Sequence, residues 1–197
     1  MVIRTSRESA LKNFLGGNPV GRRNIMTYTK EQIIALARLA AADYAAACTG
    51  PTIRGLNGEK HLRGKSIEEV AASNGISVEE AKALTIDLST ATFDEMSGYW
   101  QNVNIESAKG MIALLPSFAE GGTDGATVLK TVLAVPDFNV QAKYAAILHD
   151  AWLRIPANSW ALGGDLDRPF DELPEEEQAK DVQQLMSLYT WLCSLDA

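Results

Sequence analysis

Apolar side chains recur every three or four residues along four long segments of the chain, a spacing that predicts amphipathic helices. The predicted long helices cover 30–48, 99–115, 140–152 and 174–193. Polar residues mark two of the helix starts. Thr29 with Gln32 makes a capping-box pattern, and Pro174 followed by three glutamates suits a first helical turn, where acids meet the positive end of the helix dipole. The pattern therefore predicts a mainly α protein.

Two shorter helices are predicted within 66–84, where Ser66 and Ser77 each stand three residues before a glutamate, as in a capping box. An Asn-Gly turn separates them, so the pattern resembles a helix-turn-helix. In a DNA-binding motif the start of the second helix meets bases and phosphates. Here that start carries Glu79 and Glu80, which would repel phosphate. A packed helical hairpin is the favoured interpretation, and a DNA-binding regulator using this segment is the alternative.

Glycine and proline divide the chain into segments. Residues 116–137 hold three glycines and two prolines, which is typical of a linker, although 127–135 is apolar enough for a short helix or strand. We therefore predict a basic flexible arm at 1–27, a helical unit at 28–115, the linker, and a second helical unit at 138–197. The fold is then two small helical units with long loops.

A weak internal repeat connects the two units. The quartet Phe93-Asp94-Glu95-Met96 aligns with Phe170-Asp171-Glu172-Leu173 at a shift of 77 residues, and the apolar positions of the following helices stay in phase. The helix at 30–48 also resembles the one at 138–153. These matches predict a tandem of related units. The alternative is that amphipathic helices with similar starts resemble each other by chance.

Composition narrows the classes of function. The 197-residue chain is 46% hydrophobic, enough to bury a core, and its formal charge of −7 lacks the positive field that attracts nucleic acid. No apolar run reaches the roughly 20 residues of a membrane span. Cys48 and Cys193 are predicted to be buried free thiols in a reducing compartment. We expect a cytoplasmic protein that binds neither nucleic acid nor membrane, with oligomer formation left open.

Candidate chemistry concentrates after the third long helix pattern, where His149, Asp150 and Trp152 precede Arg154 and Trp160. Two indoles and a guanidinium can stack on a flat base and hold a phosphate, and the alternative is that both indoles belong to the core. A hydrolytic metal site needs several His and Asp ligands, but the second histidine of the chain lies in a loop. No nucleophile with a supporting base appears. We therefore predict no catalytic residues, no metal and no cofactor.

A weaker candidate is the glycine-rich polar connection at 49–65. Its cations could hold an anion together with backbone amides, and they are Arg54, Lys60, Arg63 and Lys65. The segment lacks the upstream glycine and the preceding strand of a P-loop. An ordinary solvated loop is the alternative.

Between 144 and 181 the chain combines several rare residue types in a fixed order. The order is His149-Asp150-x-Trp152, Arg154-Ile155, Trp160 before Gly163, Asp165, Asp167, Pro169 through Glu177, and Asp181. This order resembles the RyR domain, a module repeated in the cytosolic part of ryanodine receptors and found singly in bacterial and phage proteins. The resemblance covers about residues 138–197, and 28–115 would be a degenerate second copy. It implies a helical fold and a binding or scaffolding role, without an established enzymatic reaction, in a bacterial or phage-infected cell.

Together these observations predict a non-enzymatic binding module that recognises a nucleotide-like small molecule or a protein partner. The predicted ligand-binding residues are Trp152, Trp160, Arg154, His149 and Asp150. A phage-type structural or assembly protein is the alternative.

Overall fold

The computed structural model describes residues 28–154 and 166–196, so the basic arm predicted at 1–27 lies outside the described residues. The fold is mainly α, as predicted, with seven α-helices in the described part of the chain. They are α1 Lys30–Ala47, α2 Ile67–Asn74, α3 Val78–Leu84, α4 Gly98–Ala113, α5 Gly125–Val132, α6 Phe138–Trp152 and α7 Glu175–Ser194. Two 3₁₀ helices, Leu115–Phe118 and Phe170–Glu172, precede α5 and α7.

Side-chain caps set where several helices begin. At α1 the Thr29 amide donates to Gln32 Oε1 (2.8 Å) and the Gln32 amide donates to Thr29 Oγ1 (3.2 Å), which is the predicted capping box. The Ser66 and Ser77 hydroxyls accept from the third residue of α2 and of α3 at 3.0 and 3.1 Å. Each cap satisfies an amide that has no partner inside its helix. The two short helices predicted within 66–84 are therefore confirmed.

The described residues also form one small antiparallel sheet, in the spatial order β2-β1-β3. The strands are β1 Ile53–Gly55, β2 Arg63–Gly64 and β3 Thr85–Asp87. The segment 49–65 is thus partly sheet, and its prediction as a plain polar connection is wrong. Strands of two or three residues are too short to show the alternation by which a strand is identified. Ile53 and Leu62 pack with residues of α2 and α3 in a small hydrophobic cluster.

The main hydrophobic core lies where the long helices meet. Helix α1 packs against α4 and α7, and α7 also packs against α6. Leu36 of α1 and Leu185 of α7 are fully buried in this core. Trp100 of α4 donates its indole proton to the Gly55 carbonyl oxygen (2.9 Å), which ties the sheet to the core. Helices from both predicted units therefore share one core.

The segment predicted as a linker, 116–137, contains α5 at Gly125–Val132, so the short helix or strand expected at 127–135 is a helix. Ala126, Leu129 and Leu133 are buried in the main core. Glycine and proline here accompany a packed helix rather than an extended connection. Although both sets of helices contribute to this core, the division of the chain into two related units stays a prediction.

The two quartets of the predicted repeat have similar surroundings. The first and fourth side chains of each quartet are buried in the main core, namely Phe93, Met96, Phe170 and Leu173. The second residues, Asp94 and Asp171, are both exposed, and each quartet stands before a long helix, α4 or α7. The repeat is thus matched by burial as well as by sequence, and a common origin stays a prediction.

Both cysteine thiols are free, as predicted, but their burial differs. Cys48 is half-buried and accepts a hydrogen bond from the Thr52 hydroxyl (3.6 Å). Cys193 is exposed because it lies on the outer face of α7, so the prediction that it is buried is wrong.

Candidate functional site

The C-terminal half of α6 carries three of the residues predicted to bind a ligand. The helix is started by Asp137, whose carboxylate accepts hydrogen bonds from the amides of Asn139 (2.9 Å) and Val140 (3.3 Å). Because side chains three or four positions apart share a helix face, His149 and Trp152 lie on one face and Asp150 on another. The predicted site is therefore distributed over two faces of α6.

His149 lies in the core with only 2% of its surface exposed. Its Nδ1 is 2.8 Å from Asp181 Oδ2 on α7, and its Nε2 is 3.0 Å from the Arg168 carbonyl oxygen. The Nδ1 atom and the Asp181 carboxylate are close, although the N–H is not well aligned with the oxygen. These contacts fix the imidazole between α7 and the segment that leads into the Phe170–Glu172 turn.

The electrostatics of this pair favour a bound proton. Burial by itself would lower the pKa of His149, but the adjacent Asp181 carboxylate outweighs it and the pKa is raised. Burial also raises the pKa of Asp181, and the imidazole only partly offsets that effect. The raised pKa favours the imidazolium form of His149, which faces the Asp181 carboxylate inside the core.

Trp152 lies beside His149, with the two rings nearly parallel (20°) and their centroids 6.4 Å apart. Both border a cavity of about 90 Å³ between α1, α4, α6 and α7, which we call the core cavity. Its apolar wall includes Ala41, Leu88, Met96, Val103, Leu148 and Leu173. Its polar wall consists of Tyr44, Asn104, Ser107, His149, Glu177, Lys180, Asp181 and Gln184.

Lys180 is the buried cation of the polar wall, with 5% of its surface exposed. Its ammonium lies 2.9 Å from Glu177 Oε1 and 3.2 Å from Glu176 Oε1, and it stands 5.6 Å from the centre of the Tyr44 ring. These interactions outweigh the cost of burial, and the pKa of Lys180 is raised. Burial raises the pKa of Tyr44 to about 12. The lysine is therefore charged and the phenol neutral at physiological pH.

Asp150 faces away from the core cavity and borders a shallow groove of about 520 Å³, which we call the α6 groove. The groove is lined by Ala142, Ala146, Ile147, Asp150, Pro169, Phe170, Asp171 and Gln178. Arg154 Nη2 is 3.9 Å from Asp150 Oδ2, and both side chains are exposed. An exposed ion pair at this distance holds its partners only weakly. The Arg154 guanidinium is therefore held only loosely by Asp150.

The structure brings together some of the predicted ligand-binding residues and separates others. His149 and Trp152 border the core cavity, while Asp150 borders the α6 groove beside Arg154. Trp160 lies outside the described residues. The predicted stacking slot of two indoles and a guanidinium therefore stays a prediction.

The predicted anion site is placed on and beside the small sheet. Arg54 of β1 stands opposite Arg63 of β2, but the Arg54 guanidinium is largely buried and donates to the Ile53 carbonyl oxygen (2.9 Å). Arg63 Nε donates to the Lys60 carbonyl oxygen (2.8 Å), and Lys65 is exposed. Burial lowers the pKa of Arg54. Two of the four cations are thus engaged by backbone carbonyls.

The polar wall of the core cavity was not predicted from the sequence, although α7 carries a signal for it. Asp181 stands four and seven residues before Leu185 and Leu188, which are fully buried. Lys180 stands four and seven residues before Gln184 and Ser187, which are polar, so the apolar spacing does not mark Lys180. A charged residue at the spacing of a buried helix face identifies such a position. This periodicity could have identified Asp181, but not Lys180.

Within residues 28–154 and 166–196, no group of three or more His, Cys, Asp or Glu side chains is arranged to hold a metal ion. None of the helices in this part of the chain combines the length and apolar character that crossing a bilayer requires. Comparisons with family models, curated proteins and solved structures found no match. The resemblance to the RyR domain therefore rests on the sequence motif and stays a prediction.

Proposed function

We propose that this protein is a non-enzymatic binding module that recognises a protein partner, and that the α6 groove receives a segment with basic and apolar side chains. The observation that carries the proposal is the lining of the groove. Apolar residues form its floor, two carboxylates border it, and its described lining residues include no cation. A structural or assembly role in a phage-type particle would be one form of this recognition.

The size and floor of the groove suit a peptide segment. Its volume of about 520 Å³ lies within the roughly 300–1,000 Å³ of typical ligand pockets. Phe170 and Ala146 contribute apolar surface to the floor. Phe170 is buried in the main core, so the floor is anchored and does not have to reorganise on binding. An apolar side chain of the partner would gain contact area there.

The charge around the groove selects a basic partner. Asp150 and Asp171 border it, and 165–181 carries eight acidic residues against Arg168 and Lys180. A like-charged segment is repelled, whereas Arg or Lys is attracted. Arg154 competes only through its weak 3.9 Å ion pair with Asp150, which a bound guanidinium can replace.

The same features argue against the nucleotide-like ligand and the DNA-binding alternative. A phosphate in the groove would meet Asp150 and Asp171, and the core cavity of about 90 Å³ is well below the usual size of a ligand pocket. At the start of α3, Glu79 and Glu80 are both exposed, so phosphate would meet negative charge there too. The protein-partner version is therefore the better supported one.

A selection from a random peptide library on immobilised protein tests the proposal. We expect enriched peptides to combine Arg or Lys with Leu, Ile or Phe. Their binding to the Asp150→Asn/Asp171→Asn double variant should weaken by about three- to tenfold, since exposed charge pairs contribute about 0.2–1 kcal/mol each. Increasing NaCl should weaken binding to the parent protein as well.

The matched control is Asp94→Asn, which removes the corresponding exposed aspartate of the first quartet and with it an exposed ion pair to Arg38. It should bind the selected peptides as the parent protein does. Enrichment of acidic peptides, or equal loss of binding in the control and the double variant, would contradict the proposal.

A further inference from the structure

We propose that the protein partner places an arginine side chain in the α6 groove, with its guanidinium over the Phe170 ring and against the Asp171 carboxylate. Because it names the side chain by which the basic partner is recognised, this assignment rests on the proposed function. It is carried by a second place in the same fold, the first quartet Phe93-Asp94-Glu95-Met96, where the protein holds an arginine of its own.

Arg38 shows how this fold holds a guanidinium. Its Nη2 donates to Asp94 Oδ1 (2.7 Å), and its central guanidinium carbon stands 5.4 Å from the centre of the Phe93 ring. A cation at that distance from an aromatic face is attracted by the ring, and a planar guanidinium can stack on the ring while it pairs with a carboxylate. A phenylalanine followed by an aspartate therefore binds the guanidinium at the first quartet.

Helices α1 and α6 correspond position by position at a shift of 108 residues. Thr29 caps α1, and Asp137 caps α6. Four successive core positions are buried in both helices, namely Leu36, Ala37, Ala40 and Ala41 in α1 and Tyr144, Ala145, Leu148 and His149 in α6. Helix α6 therefore presents Ala146 where α1 presents Arg38. This correspondence of position holds whether or not the two segments share an origin.

The quartets and the helices that follow them correspond in the same way at a shift of 77 residues, since α4 and α7 begin 77 residues apart. The side-chain amide of Gln101 on α4 donates to the Phe93 carbonyl oxygen (3.2 Å). Its counterpart on α7, Gln178, donates to the Leu173 carbonyl oxygen (2.9 Å). Helix α1 packs on α4 as α6 packs on α7. The second quartet therefore lies against α6 as the first lies against α1.

The α6 groove is the space that an arginine on α6 would fill. Ala146, Phe170 and Asp171 all line it. Ala142, which also lines it, stands where α1 has the larger Ile34, so two short side chains leave the groove open. Within the described ranges no cation pairs with the Asp171 carboxylate, and none stands over the Phe170 ring. The second quartet thus keeps the phenylalanine and the aspartate and lacks the arginine.

The charges on α6 strengthen this complementarity. At the shift of 108 residues Asp150 stands where α1 has Ala42. From α1 to α6 this helix face therefore loses the Arg38 cation and gains a carboxylate one turn further on. The groove offers two carboxylates to a guanidinium that has five N–H donors. An ammonium has no planar face to stack on the Phe170 ring, so arginine is preferred to lysine.

Arg154 does not take the place of the missing arginine. It stands eight residues after Ala146, about 12 Å further along α6. Its ion pair with Asp150 spans 3.9 Å between exposed side chains and is weak. The Asp171 carboxylate is therefore open to a guanidinium brought by the partner.

Capped tripeptides titrated into the isotope-labelled full chain and followed by NMR test the assignment. The probes are N-acetyl Leu-Arg-Leu amide, its lysine counterpart, and its citrulline counterpart, which keeps the planar end without the charge. We expect the arginine peptide to shift the amide signals of Phe170 and Asp171 with a Kd on the order of millimolar, and to bind about three- to tenfold tighter than the lysine peptide. The citrulline peptide should bind at least about threefold more weakly than the arginine peptide.

Ala146→Arg tests the correspondence with Arg38. It places on α6 the side chain that α1 carries, so its own guanidinium should occupy the groove and weaken binding of the arginine peptide at least about fivefold. Ala146→Gln adds length without a cation and should weaken binding less. The matched control is Ala35→Arg, the same change at an exposed position of α1 whose counterpart on α6 is Lys143, and it should leave the affinity within about twofold.

The comparison of peptides on the parent protein stands even if Ala146→Arg fails to fold. Equal affinity of the arginine and lysine peptides, with both shifting Phe170 and Asp171, would overturn the arginine assignment and leave the proposed function standing. The absence of shifts at these two residues with about ten millimolar arginine peptide would overturn the assignment as well. Enrichment of acidic peptides in the library selection would instead overturn the proposed function, so the two failures are distinguishable.

Discussion

Gly125 is the position where adding a single methyl group should disturb the fold most clearly. It is the first residue of α5, after the Asp124 cap, and α5 packs there on the 3₁₀ helix Leu115–Phe118. A Cβ added at Gly125 would overlap the carbonyl oxygen of Leu115, lie 2.7 Å from its carbonyl carbon and lie 3.1 Å from Phe118 Cβ. The obstacle is backbone, so a rotamer change cannot relieve it, and α5 would have to move.

The expected cost of Gly125→Ala follows from this geometry. Overpacking of a core typically costs about 1–3 kcal/mol, and a backbone clash places this substitution at or above the upper end, about 3 kcal/mol. For a chain of this size each kcal/mol lowers Tm by about 2–4 °C, so we expect a decrease of about 6–12 °C. Urea unfolding followed by circular dichroism gives the free energy directly.

Gly98→Ala is the matched control, since Gly98 is also the first residue of its helix, α4, and a Cβ there meets no atom within 4 Å. Alanine favours the helix and reduces the entropy of the unfolded chain, so this variant should be unchanged or more stable by up to about 1 kcal/mol. If Gly125→Ala were within about 0.5 kcal/mol of the parent protein, the close packing of α5 on the 3₁₀ helix would be refuted.

Two further predictions concern titration and thiol reactivity. The folded state raises the pKa of His149, so its contribution to stability is complete below the unfolded value of about 6.5 and is lost as the pH rises through the folded value. Unfolding free energies from pH 6 upwards should therefore fall for the parent protein and stay flatter for His149→Gln; equal slopes would exclude this role. Cys193 is exposed and Cys48 is half-buried, so a disulfide reagent should modify one thiol rapidly under native conditions. Cys193→Ser should remove that rapid phase, and its persistence would contradict the assigned exposure.

The long helices could be predicted from the sequence because two independent signals agree at their ends. At α1 the apolar spacing begins where Thr29 and Gln32 supply the cap, and the structure contains both hydrogen bonds of that cap. Pro174 is the cap residue immediately before α7. The helix therefore begins at Glu175, one position after the start predicted from the sequence. In these segments the local helix propensity and the spacing of buried residues both predict a helix, so the helices can be identified from the sequence.

The sheet could not be predicted because its strands are defined by contacts distant in sequence. Ile53 pairs with Asp87, and the Thr52 amide donates to the Asp87 carboxylate (2.8 Å). Strands of three residues carry too few side chains for a period of two to be visible. The packing of α5 could not be predicted either, because it also depends on a contact made in the fold. Gly125 suggests a flexible linker in the sequence, but in the fold its lack of a side chain permits close contact with Leu115.

Only the part of the site that lies on a single helix, α6, could be predicted from the sequence. His149 and Trp152 were identified as unusual residues, but the Asp181 that orients His149 lies on α7, 32 residues later in the chain. Sequence order cannot reveal which residues of α1 and α4 complete the cavity wall, because that depends on how the four helices pack. Asp150 was grouped with His149 as its neighbour in sequence, yet adjacent residues on a helix point to different sides.

Stability alone does not explain why the core contains these charges. Lys180 and His149 are both almost fully buried, and each needs a carboxylate partner to offset the cost of leaving water. Well-packed apolar residues in place of such pairs are often neutral or stabilising, so a core selected only for stability would not be expected to keep two pairs beside a cavity. The two pairs instead hold the polar wall of the core cavity in place, since Asp181 contacts His149 and Glu177 contacts Lys180. Burying Lys180 and Asp181 therefore lowers the free energy of unfolding, and in return these residues fix the shape of that wall.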